Sequence, residues 1–453
     1  MALAPIARQR RRAEMSLGVL VVIIAVGGYI LVALANGPAL PPGLYALLAW
    51  VLGLYLVAHL AIRRFAPYAD ATLLPLAALL NAVGFVTIAR LDHQQARVQS
   101  IWVAIGIGVF VLTLAVIRDV RLFERYRYTV AMIGLGALLL PLAPSIGRTI
   151  NGGRLWVAFG PLTFEPSEIA KVLLVAFFAA YLVDKRELLT QGRVRMGRHY
   201  LPSPRDLGPL LLAWGVALLV LAYEQDVGTS LLFFGVFAAM LYIATRRGWY
   251  VLGTLVLLAI GSVLAYHLFG HVRVRVETWL DPWKTREGNG FQIIQAQYAF
   301  GSGGVFGTGL GLGSPKLIPN AATDFVFAAI GEELGLIGTI GIVAAFMLLV
   351  GSAFRIAADA TRSFSKLFAA GIATILGFQA FLIVGGVTRV IPLTGITLPF
   401  VSYGGSSLVA NFALIAILLR ISDDTARATS SERGGSERAR SERAAAEPAG
   451  SQR

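Results

Sequence analysis

The sequence contains no cysteine in its 453 residues, which excludes disulfides, thiolate catalysis and cysteine-held metals. Charge is scarce too. Asp, Glu, Lys and Arg make up 14% of the chain, against about 25% in ordinary soluble domains. The five histidines (His59, His93, His199, His267 and His271) are scattered, without the spacing of a zinc-binding HExxH helix. Hydrocarbon takes their place: 57% of the residues are hydrophobic and mean hydropathy is +0.72. Several apolar runs approach the roughly 20 residues that cross a bilayer core of about 30 Å. The expected fold class is therefore an all-α polytopic membrane protein.

Twelve candidate spans can be drawn, at 16–36, 43–62, 71–90, 99–117, 128–143, 166–183, 207–223, 227–245, 248–269, 325–350, 367–388 and 404–420. The formal net charge of +14 invites a nucleic-acid reading, but the arginines sit in short loops between apolar runs. "RQRRR", "IRRF", "IRDVRLFERYRY", "DKRELLTQGRVRMGRHYLPSPR", "TRRGW" and "RIAADATRSFSK" fall on alternate loops, together with the tail after Arg420. This is the positive-inside pattern, which places both termini and these loops in the cytoplasm. The N-terminal apolar run is too long for a signal-peptide core and reads as a retained first span. The tail 422–453, rich in Gly, Ala, Ser, Arg and Glu, cannot bury enough apolar area to fold and is expected to be disordered.

The opposite face collects the irregular material: 143–168, the "YEQDVGT" corner, the large loop 270–324 and "RVIPLTGITLPFVSYGGSS". Non-helical backbone at membrane depth persists only where protein or a watery cavity satisfies it. Four such loops on one face imply a shared outward-facing site. Asp324, at the start of a long apolar run, is the sharpest candidate in it. Either it caps a helix, a task Thr323 could also perform, or it serves chemistry. Glu332 and Glu333 lie in the same run. On a continuous helix Glu332 is about 12 Å along and about 80° round from Asp324, and Glu333 is on the far face. Two-carboxylate glycosidases need roughly 5–9.5 Å, so any chemistry here would use one carboxylate.

The other motifs carry paired readings. Gly309, Gly311 and Gly313 resemble a phosphate-cradling loop, but no GK[ST] follows, and a flexible re-entrant loop fits better. Lys316 sits just after it, placed to meet an anion. Glu168 and Lys171, in "FEPSEIAK", are i,i+3 neighbours that can pair at a membrane edge. Asp226 lies at a tight corner, as helix starter or site wall. Arg154 and Trp156 form an aromatic–cation pair suited to anchoring or to a lipid head group.

Taken together, "NGGRLW…FEPSEIAK", "EQDVGTS", "GNGFQIIQA…GGVFGTGLG…KLIPNAATDFVFAAIGEELG" and "PLTGITLPFVSYGGSS" resemble the SEDS family, the rod-shape, cell-division and sporulation proteins that polymerise peptidoglycan. The resemblance covers roughly residues 70–421 and divides the chain into two extra N-terminal helices (1–66), a ten-helix membrane core (67–421) and a tail (422–453). "EPSE" stands where "QPSE" is commoner, "EQD" for "QPD" and "AATD" for "HTD". The histidine is lost and the aspartate stays. The last motif looks most like the elongation, rod-shape branch.

The resemblance implies an inverting glycosyltransferase in the bacterial cytoplasmic membrane that joins lipid II molecules through β-1,4 linkages and releases undecaprenyl diphosphate. It makes Asp324 the catalytic residue. Lys316, Arg273, Arg275 and Arg154 become candidates for the diphosphates, and a divalent cation (Mg or Mn) could share that role, although the sequence shows no dedicated cage. Trp156, Glu165, Glu168, Lys171, Asp226, Gln292, Ser402 and Ser406 are the remaining substrate-binding candidates. The implied partner is a class B penicillin-binding protein, the transpeptidase that cross-links the product. A lipid II flippase would instead line a path through the bundle with several mid-span Lys or Arg residues, of which there are few. A non-catalytic scaffold for the transpeptidase would have no need of a carboxylate beside a basic loop.

Overall fold

A computed structural model describes residues 3–36, 44–143, 146–150, 153–159, 162–191, 194–196, 199–201 and 204–446. Within them the chain forms α1 (Leu3–Asn36), α2 (Leu44–Phe65), α3 (Leu73–Leu91), α4 (His93–Val116), α5 (Arg121–Arg125), α6 (Arg127–Leu139), α7 (Ser167–Asp184) and α8 (Arg186–Gln191). It continues with α9 (Pro204–Tyr223), α10 (Val227–Thr245), α11 (Gly248–Leu268), α12 (Gly270–Leu280), α13 (Phe291–Gly303), α14 (Val326–Asp359), α15 (Ser363–Val387) and α16 (Gly405–Ala446). Leaving out the short α5, α8, α12 and α13, these helices match the expected spans one for one. Eight are long and apolar enough by themselves to cross a membrane. Another, α7, carries Glu168, Lys171 and Asp184 in its 18 residues.

Because the surrounding solvent is lipid, helices need no polar face, and the apolar surface continues around them. Burial therefore marks position in the bundle. α15 and α16 form its centre, with 72% and 83% of their apolar windows buried, whereas only 6% of the window of α11 is. α15 packs on α7, α10 and α14, and α16 packs on α4.

Hydrogen bonds close the bundle at both ends. At one end Arg420 of α16 donates to the carbonyls of Ile117 (2.9 Å) and Phe65 (2.7 Å). The buried Asp423 accepts there from the Tyr68 amide (2.7 Å) and from Arg427 (2.8 Å). Past these bonds α16 continues to Ala446. The last residues of the tail, 447–453, lie outside the described residues.

The opposite end is not all loop. β1 (Gly147–Ile150), β2 (Gly153–Phe159) and β3 (Leu162–Phe164) make a small antiparallel sheet in the order β1-β2-β3, an element the all-α expectation lacked. Another hairpin, β4 (Val194–Met196) with β5 (His199–Leu201), follows α8.

α14 is not continuous. At Gly335 φ is 65° and ψ is −163°, a region open essentially to glycine alone. The amides that follow the break do not face lipid. Leu336 donates to the Gly304 carbonyl (2.9 Å) and Ile337 to that of Val305 (3.2 Å), while Thr308 and Gly309 donate back to the carbonyls of Glu332 (2.9 Å) and Glu333 (3.0 Å). The glycine-rich segment is thus hydrogen-bonded into the broken helix, where sequence analysis expected a flexible re-entrant loop. Glu332 accepts from the Ser314 amide (2.7 Å). Glu333 pairs with Arg90 (3.2 Å), which also donates to the carbonyls of Gly311 and Gly313. Both acids are spent on holding this segment. At Gly335 a Cβ would lie 2.3 Å from the Gly307 nitrogen and 2.6 Å from the Val305 oxygen. We expect Gly335→Ala to cost at least the ~1–3 kcal/mol of a disallowed backbone, lowering the melting temperature in detergent; an unchanged melt would show that the break is not required.

Candidate active site

Asp324 precedes α14 without capping it: the N-cap position is Phe325, and no side chain bonds the first-turn amides. The capping role is therefore not what fixes an acid here. The turn that carries Asp324 is held from the other side by the segment before α16. Ser402 Oγ donates to the Thr323 carbonyl (2.6 Å) and accepts from the Leu398 amide (2.9 Å), and the Tyr403 amide donates to the Ala322 carbonyl (2.8 Å). Asn81 of α3 reaches the same segment at the Phe400 carbonyl (3.2 Å). A partly exposed carboxylate is thereby fixed on a rigid turn.

Arg275 of α12 is the cation that faces it. Its guanidinium donates to the Thr394 carbonyl (2.6 Å) and acts electrostatically on both Asp324 and Asp226. Burial pushes the Asp324 carboxyl up to about 6, against the opposing pull of Arg275 and a hydrogen bond with Thr323. Asp226 accepts from the Thr229 amide (2.9 Å) and caps α10, so it is a helix starter that also faces Arg275. Burial raises it as well, with Glu168 adding to the effect.

Around these groups lies an excess of acid. Glu168 and Lys171 form the expected i,i+3 ion pair, now buried. Lys171 also donates to Gln379 of α15 (3.1 Å), whose amide nitrogen donates to the Thr397 carbonyl (2.8 Å). Glu165 accepts from Ser167 (2.6 Å), and its amide donates to Ser406 (2.9 Å). Desolvation, then the charges of Glu168 and Asp226, push Glu165 up to about 8 despite Ser167 and Lys171. Glu224 is 2% exposed with its Oε1 unpartnered; burial and the charge of Asp226 raise it to about 8. Among the described residues, no three His, Cys, Asp or Glu side chains converge to hold a metal ion.

The structure thus gathers Asp324, Arg275, Asp226, Glu165, Glu168 and Lys171, with Ser402 and Ser406 beneath them as fasteners. Other candidates stand apart. Arg273 turns to the opposite face of α12, over the Tyr266 ring at 5.5 Å and towards the His267 carbonyl. Arg154 donates to the Ala143 carbonyl (3.0 Å) and fastens the sheet to the end of α6. Trp156 sits opposite Arg148 in the β1–β2 ladder. Lys316 is exposed, and Gln292 is half-buried. Sequence reasoning missed Gln379, Glu224 and Asn81. The first and last are isolated amides inside apolar runs, the one signal that was available for them.

Residues 63–427 match the FtsW/RodA/SpoVE cell cycle protein family. The chain belongs to this family. It is 43% identical to the peptidoglycan glycosyltransferase RodA of Mycobacterium tuberculosis, over 94% of this chain and 93% of the other, and 46% identical to that of Mycobacterium leprae, over 83% and 82%. An FtsW-type relative, the probable peptidoglycan glycosyltransferase of Geobacter metallireducens, is 36% identical over 72% and 84%, so the RodA branch is favoured. Among solved structures, one of a peptidoglycan synthase complex matches with a TM-score of 0.66 at 29% identity, covering 79% of this chain and 98% of the other. The Thermus thermophilus rod-shape-determining protein RodA matches with a TM-score of 0.57 at 25% identity, over 79% and 97%.

In this FtsW/RodA/SpoVE chain the two raised glutamates have a thermodynamic signature. An acid whose folded value exceeds its unfolded value of about 4.3 stays neutral in the fold while the unfolded chain ionises. Stability on its account is intact below about 4.3 and is lost as pH rises to about 8. The double variant Glu165→Gln/Glu224→Gln should therefore flatten the decline of melting temperature between pH 5 and 8; slopes parallel to wild type would mean that both acids ionise freely.

Proposed function

We propose that the chain polymerises peptidoglycan by transferring the lipid-linked glycan from one lipid II molecule to another, with Asp324 as general base. The observation that carries this reading is a carboxylate that caps no helix, pushed up to about 6 and set beside Arg275 at the membrane edge. In the reaction, the acceptor GlcNAc 4-hydroxyl passes its proton to Asp324 as the oxygen attacks C1 of the donor MurNAc. The C1–O bond to the diphosphate breaks, and undecaprenyl diphosphate leaves with the electron pair. One displacement converts the α-linked donor into a β-1,4 product.

Arg275 has two tasks in this scheme. It keeps the Asp324 pKa from rising further, and its guanidinium offers charge-assisted hydrogen bonds to a leaving diphosphate. Lys316, exposed in the turn after the glycine-rich segment, would be a second contact for that group. Mg or Mn carried in on the diphosphate would add positive charge. The site faces outward and both termini face the cytoplasm, on the strength of the alternate basic loops. A class B penicillin-binding protein, docking through membrane helices, would cross-link the product.

General-base catalysis contributes typically 10²–10⁴-fold. Asp324→Asn should therefore abolish glycan polymer formed from lipid II on gels at ordinary enzyme concentrations while leaving the melting temperature intact; a vigorous Asn variant would refute the base. Arg275→Gln should move the alkaline rise of polymerase rate, near pH 6 in wild type, upward as well as slowing turnover. A rise at the same pH would separate Arg275 from Asp324. Reporter fusions near Asn289 should read extracytoplasmic and fusions after Arg12 cytoplasmic; the reverse assignment would put the site on the wrong side for a wall polymer.

A further inference from the structure

Four helices that meet the site, α7, α10, α14 and α15, border a cavity at their other ends, lined by Arg186, Arg246, Lys366, Phe354, Leu367 and Ala370 among others, with about 480 Å³ of accessible space. Three cations reach it and no acid lines it. The nearby acids lie elsewhere: Asp184 pairs with Arg127 (3.2 Å) and Lys185 (3.6 Å), while Glu187 and Asp359 are exposed outside the lining. None of the three cations takes part in an ion pair found among the described residues.

Two further features point to an anion with a hydrocarbon body. Ser363, which lines the cavity, is the first residue of α15. The N-cap Arg362 makes no side-chain bond to the first-turn amides, leaving partly positive donors for an anion. Below the cations the wall is apolar: Leu367 and Ala370 are buried, and Phe354 is 40% exposed. The cavity also sits where apolar spans meet the basic loops, the depth of a phospholipid head group.

We propose that this cavity is a binding site for an anionic phospholipid, with its phosphate between Arg186, Arg246, Lys366 and the α15 N-terminus and an acyl chain along Phe354 and Leu367. Basic pockets between membrane helices on the cytoplasmic side take such head groups. A soluble phosphate would use the same cations but gain nothing from the apolar wall.

The test uses the purified full chain and native mass spectrometry, with phosphatidylglycerol or phosphatidylcholine added to the detergent. The variant is Arg186→Gln/Arg246→Asn/Lys366→Gln. Asn is chosen at Arg246 because that residue is left-handed (φ 54°) and Asn tolerates the region. Each cation is worth about fivefold in affinity, the equivalent of roughly 1 kcal/mol. The triple variant should thus lose phosphatidylglycerol binding by about two orders of magnitude, with phosphatidylcholine binding and melting temperature unchanged. Equal phosphatidylglycerol affinity in the variant would overturn the site. Phe354→Asn should weaken lipid retention severalfold. If it has no effect and millimolar inorganic phosphate displaces the lipid, the cavity serves a free anion and the lipid assignment falls.

Discussion

Backbone that leaves helical geometry inside a membrane protein must find its hydrogen bonds within the protein, because lipid offers none. The rest of this structure depends on how that demand is met around Gly335 and Thr323. At Gly335 the segment after α13 supplies the missing partners, and the side chains of Glu332, Glu333 and Arg90 clasp it. At Thr323 the hydroxyl of Ser402 takes the carbonyl that would otherwise be orphaned. These two fastenings lie on either side of Asp324. The site is therefore rigid because the irregular backbone around it has been satisfied, and it is irregular because a carboxylate that caps no helix needs a turn to stand on.

The same arrangement explains why acids are abundant where the membrane should disfavour them. Glu332 and Glu333 are expensive in an apolar run, yet each meets a donor in a segment that folds against it. Glu168 meets Lys171. Asp226 meets the first-turn amide of Thr229. Only Glu165 and Glu224 lack a cation or a backbone donor of comparable strength, and burial pushes both up to about 8.

The twelve helices were legible in the sequence because hydropathy over 20 residues is a strong signal. Asp324 was legible as an exception within that signal. The sheet in 143–168 was not: its strands are short, and their edges pair with each other, so no long alternation announces them. Nor was the break at Gly335, since one glycine among many in "EELGLIGTIG" says nothing about φ until its neighbours are placed. The choice of Arg275 over Arg273 depends on which face of α12 turns to the site, and that is settled only by contact with Thr394. Nothing in the composition of the tail foretold that Asp423 would tie down its first turn.

The surplus of carboxyls over cations around Asp324 has a thermodynamic corollary. In the proposed reaction a diphosphate held by Arg275 would add negative charge to a cluster in which two acids, Glu165 and Glu224, are already pushed up to about 8, making their protons harder to release. Binding it should draw protons from the medium. The cluster would then behave as a buffer whose capacity is spent on its ligand, so the heat of binding would vary with the ionisation enthalpy of the surrounding buffer, and apparent affinity would weaken with each step in pH above about 8. Charge neutrality there would be set jointly by protein and substrate, with water's protons as the third party.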